Sequence, residues 1–257
     1  MNKNKHNLTF ISVNYNSSNL IISWIKSIDK LVKKKNIIIV DNYFSNVEVS
    51  ILEKLSKKLN FILLKSNNYG YSYSLNLALK YFKKNINIGT VFCGNLDIEF
   101  LKIDFSFVNK SGVFVPIVIE KKRKNRNPFL TKFQKKIFPF YKIAAIYKSS
   151  FLYLIAIFLN KIVGFIPSKV FAIHGSIFIF SSDIIKFKNL PFNDKSFLYG
   201  EELEFASYIE KNNINIFDSN TTVFHKSHET TKKYLKLKTF IPVWSNSFLN
   251  WYNRWYK

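Results

Sequence analysis

Acidic residues and cysteine are both scarce in this 257-residue chain. Cys93 is its only cysteine, which excludes an intrachain disulfide and fits a reducing compartment best. The 16 Asp and Glu residues stand against 39 Lys and Arg, giving a formal net charge of +23 at pH 7. Such a charge predicts an anionic partner: nucleic acid, an anionic membrane surface or phosphorylated small molecules. Part of it also fits coding bias, because Lys, Asn, Ile and Phe are abundant while glycine numbers 7.

A long uninterrupted hydrophobic run is missing as well. The apolar stretch after the polar residues 1–7 is too short and interrupted for a signal peptide, so export is not expected. The most apolar region, Ile143–Ile166, is broken by polar residues to a core of Phe151–Leu159. A helix that spans a bilayer needs about 20 residues. We therefore expect a cytoplasmic protein.

The first half of the chain alternates strand-like and helix-like segments. Apolar runs typical of buried strands cover Leu8–Val13, Ile37–Val40, Phe61–Leu64 and Ile86–Cys93. Amphipathic helical patterns lie between them, around residues 21–32, 49–59 and 75–82. This alternation predicts an α/β fold with a parallel, doubly wound sheet.

Ligands of such sheets bind beyond the carboxyl ends of the strands. Three polar turns occupy those ends here: Asn14-Tyr15-Asn16, Asp41-Asn42 and Asn95-Leu96-Asp97. Each turn is therefore a candidate set of site residues.

The second half predicts a strand over Phe171–Phe180, a helix over Glu201–Asn212 and a short strand over Ile214–Phe217. Repeats and Gly/Pro-rich linkers are absent from the sequence, so one domain over residues 1–257 is expected. We divide it into a first half (1–110), a second half (111–230) with an insert (121–168), and C-terminal helices (231–257).

The insert and the C-terminus both combine basic and aromatic residues. Lys121–Arg126 is a basic run, and later lysines alternate with phenylalanines. This composition is typical of a surface that contacts anionic headgroups, and also of a single-strand nucleic-acid groove. At the C-terminus the apolar residues Trp244, Phe248, Trp251 and Trp255 have helical spacing. That pattern favours an interfacial helix, with a core-packing helix as the alternative.

Three of the few carboxylates lie close together, at Glu201, Glu202 and Glu204. Like charges held this close repel, which raises the pKa of at least one and is a way to prepare a general base near neutral pH. The alternative is structural, because carboxylates also favour the first turn of a helix.

Six segments, in this order, carry a resemblance. They are Val13-Asn14-Tyr15-Asn16, Ile38-Ile39-Val40-Asp41-Asn42, the loop Asn68–Asn76, Asn95-Leu96-Asp97, Phe197–Glu204 and Val223-Phe224-His225. Together they resemble the signatures of family 2 (GT-A fold) glycosyltransferases, in the branch of bacterial rhamnosyltransferases that build O-antigen and other surface polysaccharides. The resemblance covers almost the whole chain.

The resemblance implies that residues 1–110 bind the nucleotide-sugar, that 111–230 form the acceptor and catalytic half, and that the helices of 231–257 lie near the membrane. It also implies roles for particular residues. Glu202 would be the catalytic base, with Glu201 and Glu204 beside it. Asp97 and His225 would hold Mg²⁺ or Mn²⁺, with His228 as a competing ligand. The nucleotide-sugar site would include Val13, Asn14, Tyr15, Asp41, Asn68, Gly70, Tyr71, Asn76 and Asn95, with Asp41 reading the nucleobase. The acceptor site would include His174, Gly175 and Tyr199.

Each of these residues also has an ordinary structural explanation. Asp41 follows a strand, where an aspartate is often a helix cap. His174 and His225 would otherwise be hydrogen-bonded histidines of the interior.

The partners follow from the same resemblance. They are a dTDP- or UDP-linked donor, with L-rhamnose as the leading sugar, a lipid-linked saccharide acceptor, and the anionic inner face of the cytoplasmic membrane. Nucleic acid is then not expected, because it leaves the acidic cluster without a role. Glu202 and Glu204 stand where the family usually has aspartate, and Ser74 and Ala78 where it has glycine. These departures leave an inactive GT-A scaffold as the alternative function.

Overall fold

The computed structural model describes residues 7–108, 110–121, 125–187, 189–226 and 237–256. In these ranges the main sheet has eight strands, and a small second sheet has two. The main strands are β1 (Leu8–Asn14), β2 (Asn36–Asn42), β3 (Ile62–Ser66), β4 (Thr90–Gly94), β5 (Ile98–Lys102), β6 (Val113–Ile119), β9 (Ile177–Ser181) and β10 (Ile216–His225). The second sheet pairs β7 (Leu130–Thr131) with β8 (Val170–Ala172).

Seven α-helices accompany the strands within the same ranges. They are α1 (Ser18–Asp29), α2 (Asn46–Leu59), α3 (Tyr71–Asn85), α4 (Phe138–Ile146), α5 (Ser150–Val163), α6 (Glu201–Lys211) and α7 (Leu237–Trp255). None of these helices is both long and apolar enough to span a bilayer.

The strand order β3-β2-β1-β4-β9-β6-β10-β5 confirms the predicted α/β sheet, which is mostly parallel. Parallel pairing joins β3, β2, β1 and β4, and also β6 and β10. Strands β9 and β5 run in the opposite direction. As a result β1, β2, β4, β6 and β10 all end at one edge of the sheet, and β9 begins there.

Alternation along the strands divides the core between the two faces of the sheet. Phe10 of β1 packs with Trp24 of α1 on one face, while Ile11 packs with Leu75 of α3 on the other. This period of two is what a strand buried on both faces requires, because successive side chains point in opposite directions.

The prediction of one strand over Phe171–Phe180 was wrong. The segment forms β8 and β9, in two different sheets, with a turn at His174-Gly175-Ser176 between them. The Ser176 backbone N–H donates to His174 Nδ1 at 3.3 Å, so a local side-chain bond replaces strand pairing. The short strand expected over Ile214–Phe217 is instead β10, which extends to His225.

The C-terminal helix is not the interfacial helix that its tryptophans indicated. Trp251 is fully buried, and its ring lies 5.0 Å from that of Phe138 in α4. Its indole N–H donates to the Leu203 carbonyl at 3.0 Å and to Ser207 Oγ at 2.9 Å, both on α6. Phe248 is buried in the same cluster. The apolar stripe of α7 therefore packs against α4 and α6, which a sequence period cannot distinguish from membrane contact.

Candidate active site

A cavity of about 580 Å³ opens at the edge where the strands end. The chain segments after β1, β2, β3, β4 and β6, the end of β10 and the turn before β9 line it. The start of α6 and one face of α7 complete the lining. Its lining includes Val13, Tyr15, Asn42, Asn68, Gly70, Tyr71, Asn95, Asp97, Glu120, Arg126, His174, Gly175, Ser176, Phe197, Tyr199, Glu201, Glu202, His225, Thr239, Phe240 and Val243.

Two carboxylates and two imidazoles meet on one wall of this cavity. His225 Nε2 lies 3.4 Å from Asp97 Oδ1, and His225 Nδ1 lies 3.2 Å from Glu120 Oε1. His174 Nε2 is 4.0 Å from Glu120 Oε1. Ligand atoms of Glu120, His174 and His225 all lie within 4.8 Å of one another. The four residues come from different strand ends, and only the sheet topology brings them together.

The positive charge of His225 and the negative charge of Glu120 stabilise each other. Burial disfavours the charged imidazole of His225, but the carboxylates of Asp97 and Glu120 outweigh it and raise the pKa of His225. Burial likewise disfavours the Glu120 carboxylate, while His225 and Arg126 hold the pKa of Glu120 below its usual value.

The cluster has the chemistry of a divalent-cation site. Asp97 Oδ1 is buried, and its contact with His225 Nε2 is long at 3.4 Å, so it has lone pairs free for a ligand. Carboxylate oxygens suit Mg²⁺ and Mn²⁺, and imidazole nitrogen favours Mn²⁺ over Mg²⁺. Asp97 and His225 were predicted as ligands from the sequence; Glu120 was not, and His174 was predicted as an acceptor residue. His228 lies outside the described residues.

The acidic cluster divides into two parts at the start of α6. Tyr199 and Gly200 precede the helix with φ angles of 68° and 96°, a left-handed pair that turns the chain into the cavity. Glu201 and Glu202 line the cavity. Glu204 does not, because it accepts hydrogen bonds from Trp255 Nε1 at 2.8 Å and Asn193 Nδ2 at 3.0 Å. It thus connects α6 to α7.

The carboxylate of Glu202 is held against the backbone of Gly175. A Cβ at position 175 would lie 2.2 Å from Glu202 Oε1, whereas ordinary contacts begin at 3.4 Å. Backbone N–H groups of Gly175 and Gly200 donate to this carboxylate, which opposes the rise in its pKa caused by burial. A side chain at position 175 would therefore displace the Glu202 carboxylate.

Glu201 and Glu202 therefore differ in their affinity for a proton. Burial and the neighbouring Glu202 raise the pKa of Glu201 to about 8. Its Oε1 atom is buried without a hydrogen-bond partner in the described residues. Two adjacent buried carboxylates do not both ionise readily, and with a pKa of about 8 Glu201 is the one expected to hold a proton at neutral pH.

The loop Asn68–Asn76 packs directly on the acidic motif. Gly70 has a φ of 107°, and a Cβ there would lie 2.5 Å from the Phe197 carbonyl oxygen. The next backbone N–H, of Tyr71, donates to that oxygen at 2.9 Å. The Tyr71 hydroxyl donates to Asn95 Oδ1 at 2.8 Å inside the cavity. Gly70 is thus required both for its conformation and for this close approach.

At the end of β2 the structure separates two adjacent residues. Asn42 lines the cavity, and its Oδ1 is buried without a hydrogen-bond partner among the described residues. Asp41 lies behind the wall, where Asn14 Nδ2 donates to it at 3.4 Å and burial raises its pKa. Asn14 also donates to Glu48 at 3.1 Å, so these side chains brace the ends of β1 and β2.

Most residues predicted for the site line one cavity. Asn14, Asp41, Asn76 and Glu204 are outside its lining, and Asn76 donates to the Phe192 carbonyl at 2.9 Å. Residues that the sequence did not indicate are Glu120, Arg126, Phe129, Thr239, Phe240 and Val243. A sequence feature could have indicated Glu120: it is the first polar residue after the apolar run of β6, just as Asp41 is the first polar residue after the apolar run of β2.

Comparison with solved structures identifies the fold. GalNAc-T7, in a crystal structure with UDP, GalNAc and Mn²⁺, has a TM-score of 0.59 at 12% identity over 87% of this chain and 44% of its own. Residues 1–349 of TarS from S. aureus, in complex with UDP, have a TM-score of 0.54 at 14% identity over 86% and 58%. A further TarS structure gives 0.51 at 15% identity, over 86% and 35%.

The chain therefore has the GT-A fold of these glycosyltransferases, and it spans between 35% and 58% of the lengths of the neighbours just named. No protein-family profile matches it, and a search of curated proteins found no match.

Proposed function

We propose that this chain is an inverting, metal-dependent glycosyltransferase that moves a sugar from a nucleoside diphosphate to a hydroxyl acceptor. One observation carries the proposal: a hydrogen-bonded carboxylate, Glu202, faces the same cavity as the cluster of Asp97, Glu120, His174 and His225. An acid pair and a cation site in one cavity are what transfer from a diphosphate donor requires. The fold shared with UDP-bound enzymes supports it.

The donor would lie along the strand ends. Asn42 and Tyr15 line the inner end of the cavity, where the unpartnered Asn42 Oδ1 can accept a hydrogen bond from a pyrimidine. We infer a UDP- or dTDP-linked sugar, with L-rhamnose as the leading donor by resemblance. Asp41, placed behind this wall, would act on the nucleobase only through its neighbours.

Asp97 and His225, with Glu120 and His174, are the residues that would hold Mg²⁺ or Mn²⁺. When bound, the ion would neutralise charge that develops on the leaving diphosphate. Metal ligation needs the histidines neutral, so the carboxylates that raise the pKa of His225 make ion binding dependent on pH.

Glu202 would act as the base. In the transfer, the acceptor oxygen forms a bond to the anomeric carbon, the bond from that carbon to the diphosphate breaks, and the acceptor proton moves to the Glu202 carboxylate. Glu201, protonated beside it, can donate a hydrogen bond to a sugar hydroxyl and keeps the pair from carrying two charges. We assign the acceptor side of the cavity to Tyr199, His174 and Gly175.

We infer a lipid-linked saccharide as acceptor and a peripheral position on the inner face of the bacterial cytoplasmic membrane. The support is the basic, aromatic insert and the aromatic wall that α7 adds to the cavity through Phe240.

The test is thermal unfolding of the purified protein with a panel of nucleotides and nucleotide sugars, with and without Mn²⁺. Stabilisation that requires Mn²⁺ and a uridine or thymidine diphosphate supports the proposal, and the best donor is then used in a transfer assay. Glu202→Gln should retain the stabilisation and lose turnover. Absence of stabilisation with every nucleotide contradicts the proposal. Binding without turnover in the unmodified protein would favour the inactive scaffold.

A further inference from the structure

The helices α4 and α5 form a hairpin whose outer face is apolar and exposed. On α5 the residues Phe151, Leu154 and Phe158 recur at helical spacing, and Phe165 follows the helix. Phe151 is 70% exposed, Phe158 63% and Phe165 86%. Within α5 only Ala156 is buried. A helix in a protein core normally buries such a stripe, so this face is a surface for interaction.

The neighbouring helix α4 extends the same surface. Phe140, Ile143 and Ile146 are exposed, and Tyr147 at its end is 72% exposed. Aromatic rings on the inner side connect the hairpin to the rest of the fold, since Tyr141 lies 6.0 Å from Trp244 of α7. We call the exposed residues of α4 and α5, with Phe165, the hairpin face.

The sequence segment that carries this face has charge of one sign. Between Glu120 and Asp183 the sequence has no acidic residue and 12 Lys or Arg. Lys148 lies at the turn between the helices, Lys161 near the end of α5, and Lys169 beyond it, all three exposed. An apolar face flanked by exposed lysines is complementary to lipid with anionic headgroups, whereas a protein partner would need acidic residues around an apolar centre.

We propose that the hairpin face docks on an anionic lipid bilayer. At 14 residues, α5 is about 21 Å long, shorter than the roughly 30 Å hydrocarbon layer. The hairpin lies in the interface, with its phenylalanines among the acyl chains and its lysines at the headgroups. Contact with the membrane thus belongs to α4 and α5 and not to the tryptophans of α7.

Docking of this face would also orient the cavity. Tyr153 on the inner side of α5 has its ring 5.6 Å from Phe240, which lines the cavity and lies 4.9 Å from Tyr199. Two successive ring contacts thus connect the docked hairpin to Tyr199, on the proposed acceptor side of the cavity. This part rests on the proposed transferase function, and it assigns the acceptor to amphiphiles whose apolar end stays in the bilayer.

Vesicle co-sedimentation tests the docking without donor or metal, so its result is independent of the transferase assays. Vesicles of phosphatidylcholine mixed with phosphatidylglycerol should bind the protein, and phosphatidylcholine alone should bind it more weakly. The variant Phe158→Gln/Phe165→Gln should lose at least roughly tenfold in affinity, because two exposed rings no longer enter the acyl layer. Lys148→Gln/Lys161→Gln should lose roughly fivefold per lysine on the mixed vesicles only.

The matched control is Val47→Gln/Ile88→Gln, which removes two residues of 71% and 62% exposure far from the hairpin in sequence. It should bind as the parent does. Equal binding by the phenylalanine variant would overturn the proposal. A second result would also overturn it: light scattering shows that the parent is a dimer, and the phenylalanine variant is a monomer that still binds vesicles as the parent does. Phe151→Gln/Leu154→Gln repeats the test on the same stripe.

Discussion

Replacing Gly175 with alanine tests how closely the proposed base is held. Gly175 lies outside the left-handed region of φ, so alanine costs little in the backbone itself. Its Cβ would, however, meet Glu202 Oε1 at 2.2 Å, against 3.4 Å for the start of ordinary contact, so the carboxylate must move by about 1 Å. A displacement of about 1 Å can lower a catalytic rate by roughly 10²-fold. We expect a loss of that size in kcat, with the fold retained.

The assay is release of nucleoside diphosphate from the donor that gives the largest thermal stabilisation, with melting measured in parallel. Gly164→Ala is the matched control, because Gly164 ends α5 with a helical φ of −65° and an added methyl meets the Gln134 side chain at 3.0 Å. Its kcat should equal that of the parent. Shortening the acid in the double variant Gly175→Ala/Glu202→Asp should restore part of the activity. A folded Gly175→Ala protein with the parent's kcat would refute the reasoning.

Three further predictions follow from buried groups. Glu201→Gln should gain stability relative to the parent by up to roughly 1.4 kcal/mol per pH unit between pH 5 and 8, because the raised pKa of Glu201, about 8, makes the parent lose stability as pH rises through that window. Trp251→Ala should lower the free energy of unfolding by about 3–5 kcal/mol, since a fully buried ring is removed. Asp97→Asn should abolish the Mn²⁺-dependent part of the thermal stabilisation, because a neutral amide replaces the buried carboxylate of the proposed cation site.

Each of these predictions has an outcome that would contradict it. Urea unfolding with EDTA measures the Glu201 variant, and a stability difference that does not change with pH would contradict the assigned pKa. For Trp251, a loss below about 1 kcal/mol would mean that α7 is not part of the core. For Asp97, the exposed Asp218→Asn variant should keep the response to Mn²⁺; loss in both, or in neither, would contradict the ligand role.

The sequence by itself determined the elements of the first half and their polar ends. Alternating apolar runs of four to seven residues and amphipathic helices leave few arrangements other than a mostly parallel sheet. Parallel strands end at one edge of the sheet. The sequence alone therefore placed Asn42, Asn95 and Asp97 around a common site. The acidic motif before α6 was also identifiable, since three carboxylates in a basic chain are conspicuous.

Only the tertiary structure decided which residues from distant parts of the chain are in contact. Glu120 joins His174 and His225 because β9 reverses direction between β4 and β6, a long-range pairing that local patterns do not encode. The same holds for Glu204 and Trp251, which are polar or interfacial by residue type but are buried through partners 44 to 51 positions away. Conversely, the stripe of α5 is apolar by sequence and exposed in the fold. Periodicity fixes which residues share a face, whereas the packing of distant segments fixes what that face contacts.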